Sequence, residues 1–340
     1  MGCSVPALEN WKELVYSCPR INDHTLDEKI SSLFPHAEYK SDRFGLSATK
    51  NAGTLEILPL ELLSAILCHL DLLSLSQFRR ANRRTIELVR SLPLYEAIMT
   101  HAPNALRGIL ALGTGPWITW GTLREKITTP DCEHCGDFGG YLYLLTCRRV
   151  CFLCFTQEQP YLPLLPSHAT RMFGLDKQTV QSLPCVRVIP GIYSPNERKI
   201  PRSVSVLVDR ESARLAGIRL HGSLDAMERY VASLEAREID AYNQRIVAAE
   251  GDRRPALRMR RPGVRPQFDG RSGNPFRFVA IIRVPWIRRG SREAEWGFHC
   301  LGCQNLSRFP LHWRRQFTSA SFKEHLRECG KVTNGKHCVA

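Results

Sequence analysis

Leu58-Pro-Leu-Glu-Leu-Leu-Ser-Ala-Ile-Leu-Cys-His-Leu70 is the stretch on which the fold turns. Leu63, Ile66, Leu67 and Leu70 recur at i, i+3, i+4 and i+7, the spacing of one helical face, and Leu62 widens the stripe. Pro59 is tolerated in a first helical turn, where its missing N–H would have no partner anyway. Glu61 suits the positive end of the helix dipole. A helix this apolar must hide its stripe, either in the core of its own domain or against a partner.

Around this helix lie 340 residues, 43% of them hydrophobic, enough for two or three domains and a substantial core. The longest apolar run is interrupted by Glu61, His69 and Asp71 and falls short of the roughly 18 residues a membrane span needs. No secretory signal opens the chain, and Pro6 breaks the acylation pattern that begins at Gly2. The expectation is a soluble cytoplasmic and/or nuclear protein without a membrane partner. Thirteen cysteines in such a compartment stay reduced, so their spacing is read for metal rather than for disulfides.

Two cysteine clusters have that spacing. Cys132-x2-Cys135 and Cys151-x2-Cys154 stand 15 residues apart, with the apolar strand-like run Tyr141–Leu145 between them. Each tight turn sets two thiolates at the separation that tetrahedral zinc requires, and Gly136 permits the bend. Cys147 offers a fifth thiolate and His134 an imidazole. Near the end of the chain, Cys300-x2-Cys303 is followed after 21 residues by His325-x3-Cys329. His325 and Cys329 lie one helical turn apart and face the same way. His312, His337 and Cys338 are the substitutes within reach. Two structural zinc ions are expected, since four protein ligands leave no open position for a catalytic water.

Between the clusters, Cys185–Ile189 and Val204–Val208 read as strands, and prolines disfavour helices from Pro160 to Pro201 apart from a turn near Asp176. Asp209 and Ser223 start two helices; the second carries Met227, Tyr230, Val231, Leu234, Ile239, Tyr242 and Ile246 as an apolar stripe that reads as core. From Gly251 to Glu293 there are 12 arginines, no lysine and three acids. This explains much of the net charge of +14 and suits an acidic partner, either nucleic acid or a protein surface. The first half of this stretch, through Gly273, reads as a Pro- and Gly-rich loop whose one aromatic is Phe268, which favours a solvated linker over a base-stacking surface. The second half contains a strand, Phe276–Val284. There is no phosphate-cradling glycine loop, nucleophile elbow or His-Glu-x-x-His helix.

The run Leu58-Pro59-x-Glu61-Leu62-Leu63-x-x-Ile66-Leu67-x-x-Leu70, continued by Leu75, Phe78, Arg83, Arg84, Leu88, Val89 and Pro93, resembles the F-box, a three-helix module. Ala81 stands where that family usually has valine, and Thr85 where a bulky aromatic is common. The chain is similar, less specifically, to F-box proteins of filamentous fungi with a cysteine-rich C-terminal region. The resemblance implies an α+β protein: a three-helix F-box followed by a small zinc-stapled mixed α/β region. The expected divisions are an extension over 1–53, the F-box over 54–100, a zinc-ribbon-like segment over 101–165 and a substrate-recruiting region over 166–340. It further implies a non-catalytic adaptor that docks on a Skp-type adaptor, and through it a cullin, and recruits a protein substrate for ubiquitination. Leu58, Pro59, Glu61, Leu62, Leu63, Ile66, Leu67 and Leu70 would form the docking surface. The alternative from the residues alone is a nucleic-acid-binding zinc protein that uses the arginines of 251–293.

Overall fold

The computed structural model describes residues 14–16, 22–33, 53–251, 271–304 and 311–338. Its first helix, α1 (Leu26–Leu33), lies where the sequence suggests a loose extension. Leu26 and Ile30 are fully buried. Asp23, just before the helix, meets Arg314 in a buried ion pair at 2.6 Å and accepts a hydrogen bond from the Tyr141 hydroxyl at 2.8 Å. Asp27 accepts from the Arg283 amide at 2.8 Å, and burial raises its carboxyl. These long-range contacts hold residues 22–33 in the body. Asp23→Ala strands the Arg314 charge and is expected to cost about 3–5 kcal/mol, read as a lowered melting temperature in thermal unfolding.

The apolar opening stretch forms α2 (Leu60–His69), directly after Pro59. Then come α3 (Leu72–Arg79) and α4 (Arg83–Arg90). The Asp71 carboxylate caps α3 by accepting from the Ser74 amide at 2.9 Å. Asn82 and Thr85 make a reciprocal capping box at the start of α4, so Thr85 contributes a helix start in place of aromatic bulk. The chain continues through α5 (Tyr95–His101), which ends just before Pro103, and α6 (Pro103–Leu112), which has Pro103 in its first turn. After a 3₁₀ turn, α7 (Trp120–Thr128) follows.

Helices α2, α3 and α4 are built into the body rather than set beside it. The Leu72 amide donates to the Ile118 carbonyl at 2.8 Å, and the Trp120 amide donates to the Leu70 carbonyl at 3.2 Å. Leu63, Leu67 and Leu72 belong to one continuous buried cluster with Trp120, Phe155 and the segment from Phe278 to Ile287. At the centre of that cluster is an antiparallel three-stranded sheet of β2 (Tyr141–Tyr143), β3 (Arg148–Val150) and a strand at Ile281–Arg283, with β2 in the middle.

Two small antiparallel pairs lie between. β4 (Cys185–Arg187) pairs with β7 (Val206–Val208), and β5 (Gly191–Tyr193) with β6 (Arg198–Ile200). Ile281–Arg283 is therefore β8; residues 275–277 ahead of it form a 3₁₀ turn, not the start of a longer strand. Next are β9 (Trp286–Ile287), β10 (Ala294–Glu295) and β11 (His299–Cys300). The first strand, β1 (Val15–Tyr16), pairs with β11, and β12 (Val332–Thr333) pairs with β13 (Lys336–His337).

Helix α8 (Phe152–Gln157) follows the sheet's hairpin. Proline does not exclude a helix at α9 (Pro166–Phe173), because Pro166 occupies its first turn. α10 (Lys177–Ser182) and α11 (Arg210–His221) are capped by Asp176 and Asp209. α12 (Leu224–Gly251) departs from the reading of its stripe as core. Met227 is buried in a second cluster with α9 and β7 and Val231 is buried as well, but Tyr230 and Ile239 are exposed. Short α13 (Leu301–Gln304) and α14 (Ser319–Cys329) complete the fold.

The basic loop of 252–270 lies outside the described residues. Among the arginines that follow it, Arg277 is buried and donates to the Phe155 and Glu158 carbonyls at 3.0 and 2.7 Å, closing the C-terminal end of α8. Arg288 pairs with Glu295 at 2.8 Å. These two side chains are occupied in holding the fold together.

Candidate functional site

Helix α2 has two faces with different environments. Leu63 and Leu67 are 5% and 4% exposed and point into the shared core. Leu60, Leu62 and Ile66 are 52%, 53% and 47% exposed, and Leu73 at the start of α3 is exposed too. Leu58 and Leu70 are partly buried against the core, while Pro59 and Glu61 are exposed. The eight positions expected to act together thus divide. Leu63 and Leu67 hold the helix down, Leu62 and Ile66, one turn apart, form an open apolar face, and Leu60, which the motif leaves unspecified, is exposed separately in the first turn. A large aliphatic side chain gains about 1.5–3 kcal/mol when moved out of water, so this face is suited to cover by a partner.

The first cysteine cluster is assembled by the β2–β3 hairpin. Cys132 and Cys135 lie in a turn before β2, closed by the Gly136 amide donating to the Cys132 carbonyl at 2.9 Å; Gly136 itself has φ +81°, a conformation costly for residues with a Cβ. Cys151 caps α8 and Cys154 sits within it. Their four sulfurs lie within 4.8 Å of one another, with Cys135 Sγ and Cys151 Sγ at 3.7 Å. Four sulfurs about 2.3 Å from one zinc stand about 3.8 Å apart, whereas a disulfide would need about 2.05 Å. The donor set therefore fits a tetrahedral metal ion.

Electrostatics favour a cation there. Hydrogen bonds from Cys135, Cys151 and Cys154 hold the Cys132 thiol far below its ordinary range, and that charge pushes Cys151 and Cys154 well up. The cluster resists full ionisation unless a positive charge enters it. Arg149, buried alongside, braces the turn: its guanidinium donates to the Lys126 and Pro285 carbonyls, both at 3.0 Å. Its amide donates to the Glu133 carboxylate at 2.9 Å. Burial lowers the Arg149 guanidinium to about 9. Cys147 stays outside the cluster as a buried thiol, raised to about 12 by burial, and exposed His134 also lies outside it.

The second cluster departs from the expected ligand set. Cys300, Cys303, His325 and His337 come together; Cys329 does not join them. Cys303 Sγ lies 3.4 Å from His325 Nε2 and 3.4 Å from His337 Nε2, and Cys300 Sγ lies 3.5 Å from His337 Nε2. Sulfur and nitrogen sharing one tetrahedral zinc stand about 3.6 Å apart, so this set also fits a metal. Cys329 is the last residue of α14, and Gly330 (φ +84°) turns the chain away from it. The β12–β13 hairpin then returns over the helix end. His337 Nδ1 donates to the Gly330 carbonyl at 2.9 Å, which leaves Nε2 unprotonated and aimed at the cluster. Gly302, between the two cysteines, leaves room for that ring: a Cβ there would stand 2.8 Å from His337 Nε2.

His312 and Cys338 are not in either group. His337→Ala is expected to lower the metal content from two ions per chain to one, whereas Cys329→Ser leaves it unchanged, both measured by elemental analysis of the dialysed protein.

Residues 55–97 match the family model described as F-box domain. No curated protein and no solved structure matches the chain. The chain thus carries an F-box domain made by α2, α3 and α4, joined to a helical and small-sheet body with two Cys/His clusters that can hold metal ions. An F-box domain implies a Skp-binding adaptor of ubiquitin ligase complexes, and such proteins are in general non-catalytic.

Proposed function

We propose that this F-box domain docks on a Skp-type adaptor, and through it on a cullin, while the body recruits a protein substrate for ubiquitination. The observation that carries this reading is the open aliphatic face of Leu62 and Ile66 on a helix whose Leu63/Leu67 face is fixed in the core. The role is apposition: holding a target beside a conjugating enzyme raises its effective concentration, and the chain itself makes or breaks no bond. Both Cys/His clusters bind zinc as structural ions, each closed by four protein ligands. The protein acts in the cytoplasm, the nucleus or both, where its thiols stay reduced.

The test is binding of the full chain to a purified Skp-type adaptor, read by calorimetry at rising salt. An apolar interface keeps its affinity as salt increases, whereas counterion-driven contact with nucleic acid weakens steeply. Absence of a complex at any salt concentration would remove the reading.

A further inference from the structure

The family match ends at residue 97, but the body adds to the surface around the F-box helices. Residues 70–72, which link α2 to α3, run antiparallel to residues 118–120 at the start of α7. The Leu72 amide donates to the Ile118 carbonyl, Asp71 bridges Thr119, and the Trp120 amide donates to the Leu70 carbonyl. Successive side chains of such a pairing point to opposite sides. Leu72, Ile118 and Trp120 take the inner side and are buried. One step further in the same register, Leu73 stands opposite Trp117 on the outer side, and the two are 41% and 45% exposed. The 3₁₀ turn Gly115–Trp117 is pressed onto the start of α3: a Cβ at Gly115 would stand 3.1 Å from the Leu73 amide nitrogen and 3.2 Å from the Leu73 Cβ. On α2, the exposed positions Leu62, Ile66 and His69 form a stripe that leads toward this end of the helix.

We infer that Trp117 is an anchor for the Skp-type adaptor, contributed by the body from outside the F-box. The inference rests on the adaptor reading and carries its contact surface past α2. The footing of the patch assigns it to that partner rather than to a recruited substrate. Leu73 is itself an F-box residue, and the pairing of residues 70–72 with 118–120 holds Trp117 beside it. A partner seated over the junction of α2 and α3 therefore covers Trp117 as well. A half-exposed indole keeps a large, rigid apolar area to bury, and its two side-chain torsions cost little to fix. Tryptophan is for that reason prominent among the few side chains that dominate an interface.

The test is calorimetric titration of the full chain with a purified Skp-type adaptor, accompanied by oxidative footprinting of the wild-type complex. Trp117→Ala is expected to weaken binding about tenfold or more and to leave the melting temperature unchanged. In the wild-type complex, the Trp117 indole is expected to be protected from oxidation, while Trp296, equally exposed in the free chain, reacts as before. Footprinting needs no variant, so it decides the matter even if Trp117→Ala folds poorly.

A folded Trp117→Ala chain that binds with wild-type affinity would overturn the inference. So would a Trp117 that is oxidised as fast in the complex as in the free chain. The Leu62→Asp/Ile66→Asp chain separates this failure from that of the adaptor reading. If it loses the complex while Trp117→Ala retains it, α2 docks the adaptor and Trp117 takes no part. If the wild-type chain forms no complex, both readings fall together.

Discussion

Replacing Leu62 and Ile66 together by aspartate is expected to abolish binding to a Skp-type adaptor while leaving the melting temperature of the chain unchanged. Both side chains are about half exposed, so the folded state loses little when they become polar. In a complex they would lie at the centre of the contact. Truncating a central apolar anchor costs about 2 kcal/mol or more, so the pair is worth about 4 kcal/mol, roughly a thousandfold in affinity. Buried carboxylates would add to that loss. Leu63→Asp serves as the contrasting variant: it also loses binding, but by unfolding, since Leu63 sits in the core. Wild-type affinity in the Leu62→Asp/Ile66→Asp chain, measured by calorimetry, would rule out α2 as the docking helix.

Removing the metal from the Cys132–Cys154 cluster is expected to unfold the body as a whole, the F-box included. Structural zinc contributes about 10–16 kcal/mol in apparent terms, whereas an entire domain is stable by about 5–15 kcal/mol, so loss of the ion exceeds what the rest can supply. Cys132, Cys151 and Cys154 lie in the same buried cluster as Leu63 and Leu67. The second cluster, with Phe317, Phe322 and Val332, forms a separate small core, and its loss should release β1 and the β12–β13 hairpin first. Cys135→Ser should therefore lower far-ultraviolet circular dichroism across the helical bands, and His337→Ala only slightly. A Cys135→Ser chain that stays folded and holds no metal at that cluster would show that the sulfurs merely pack.

Much of this was legible in the amino-acid sequence because the signals are local. The leucine spacing marks α2, and Asp71, Asp209 and Ser223 mark helix starts; two Cys-x2-Cys pairs mark the first cluster. The division of α2 into a buried and an open face was not legible. Leu62, Leu63, Ile66 and Leu67 are equally apolar, and only the placement of α7 and Trp120 decides which of them is covered. The fourth ligand of the second cluster, His337, is legible only as a substitute, because helical periodicity favours Cys329. The better signal was Asn334-Gly335, which suits a two-residue hairpin loop; both residues have positive φ, and the hairpin carries His337 back. The order around Asp23 and α1 depends on Arg283 and Arg314, more than 250 residues away, beyond the reach of any window.

That distance bears on when the adaptor surface comes into being during synthesis. Alone, α2 is ten residues long, and helices shorter than about 12–15 residues are marginal in water. Its footing in the shared cluster includes Phe278 to Ile287, so the face of Leu62 and Ile66 becomes firm only after the ribosome has released that segment and loop closure has brought it back. A chain interrupted before that point leaves Leu63 and Leu67 uncovered and displays an unformed helix. On the adaptor role proposed above, engagement of a ligase would be confined to polypeptides whose body is already built.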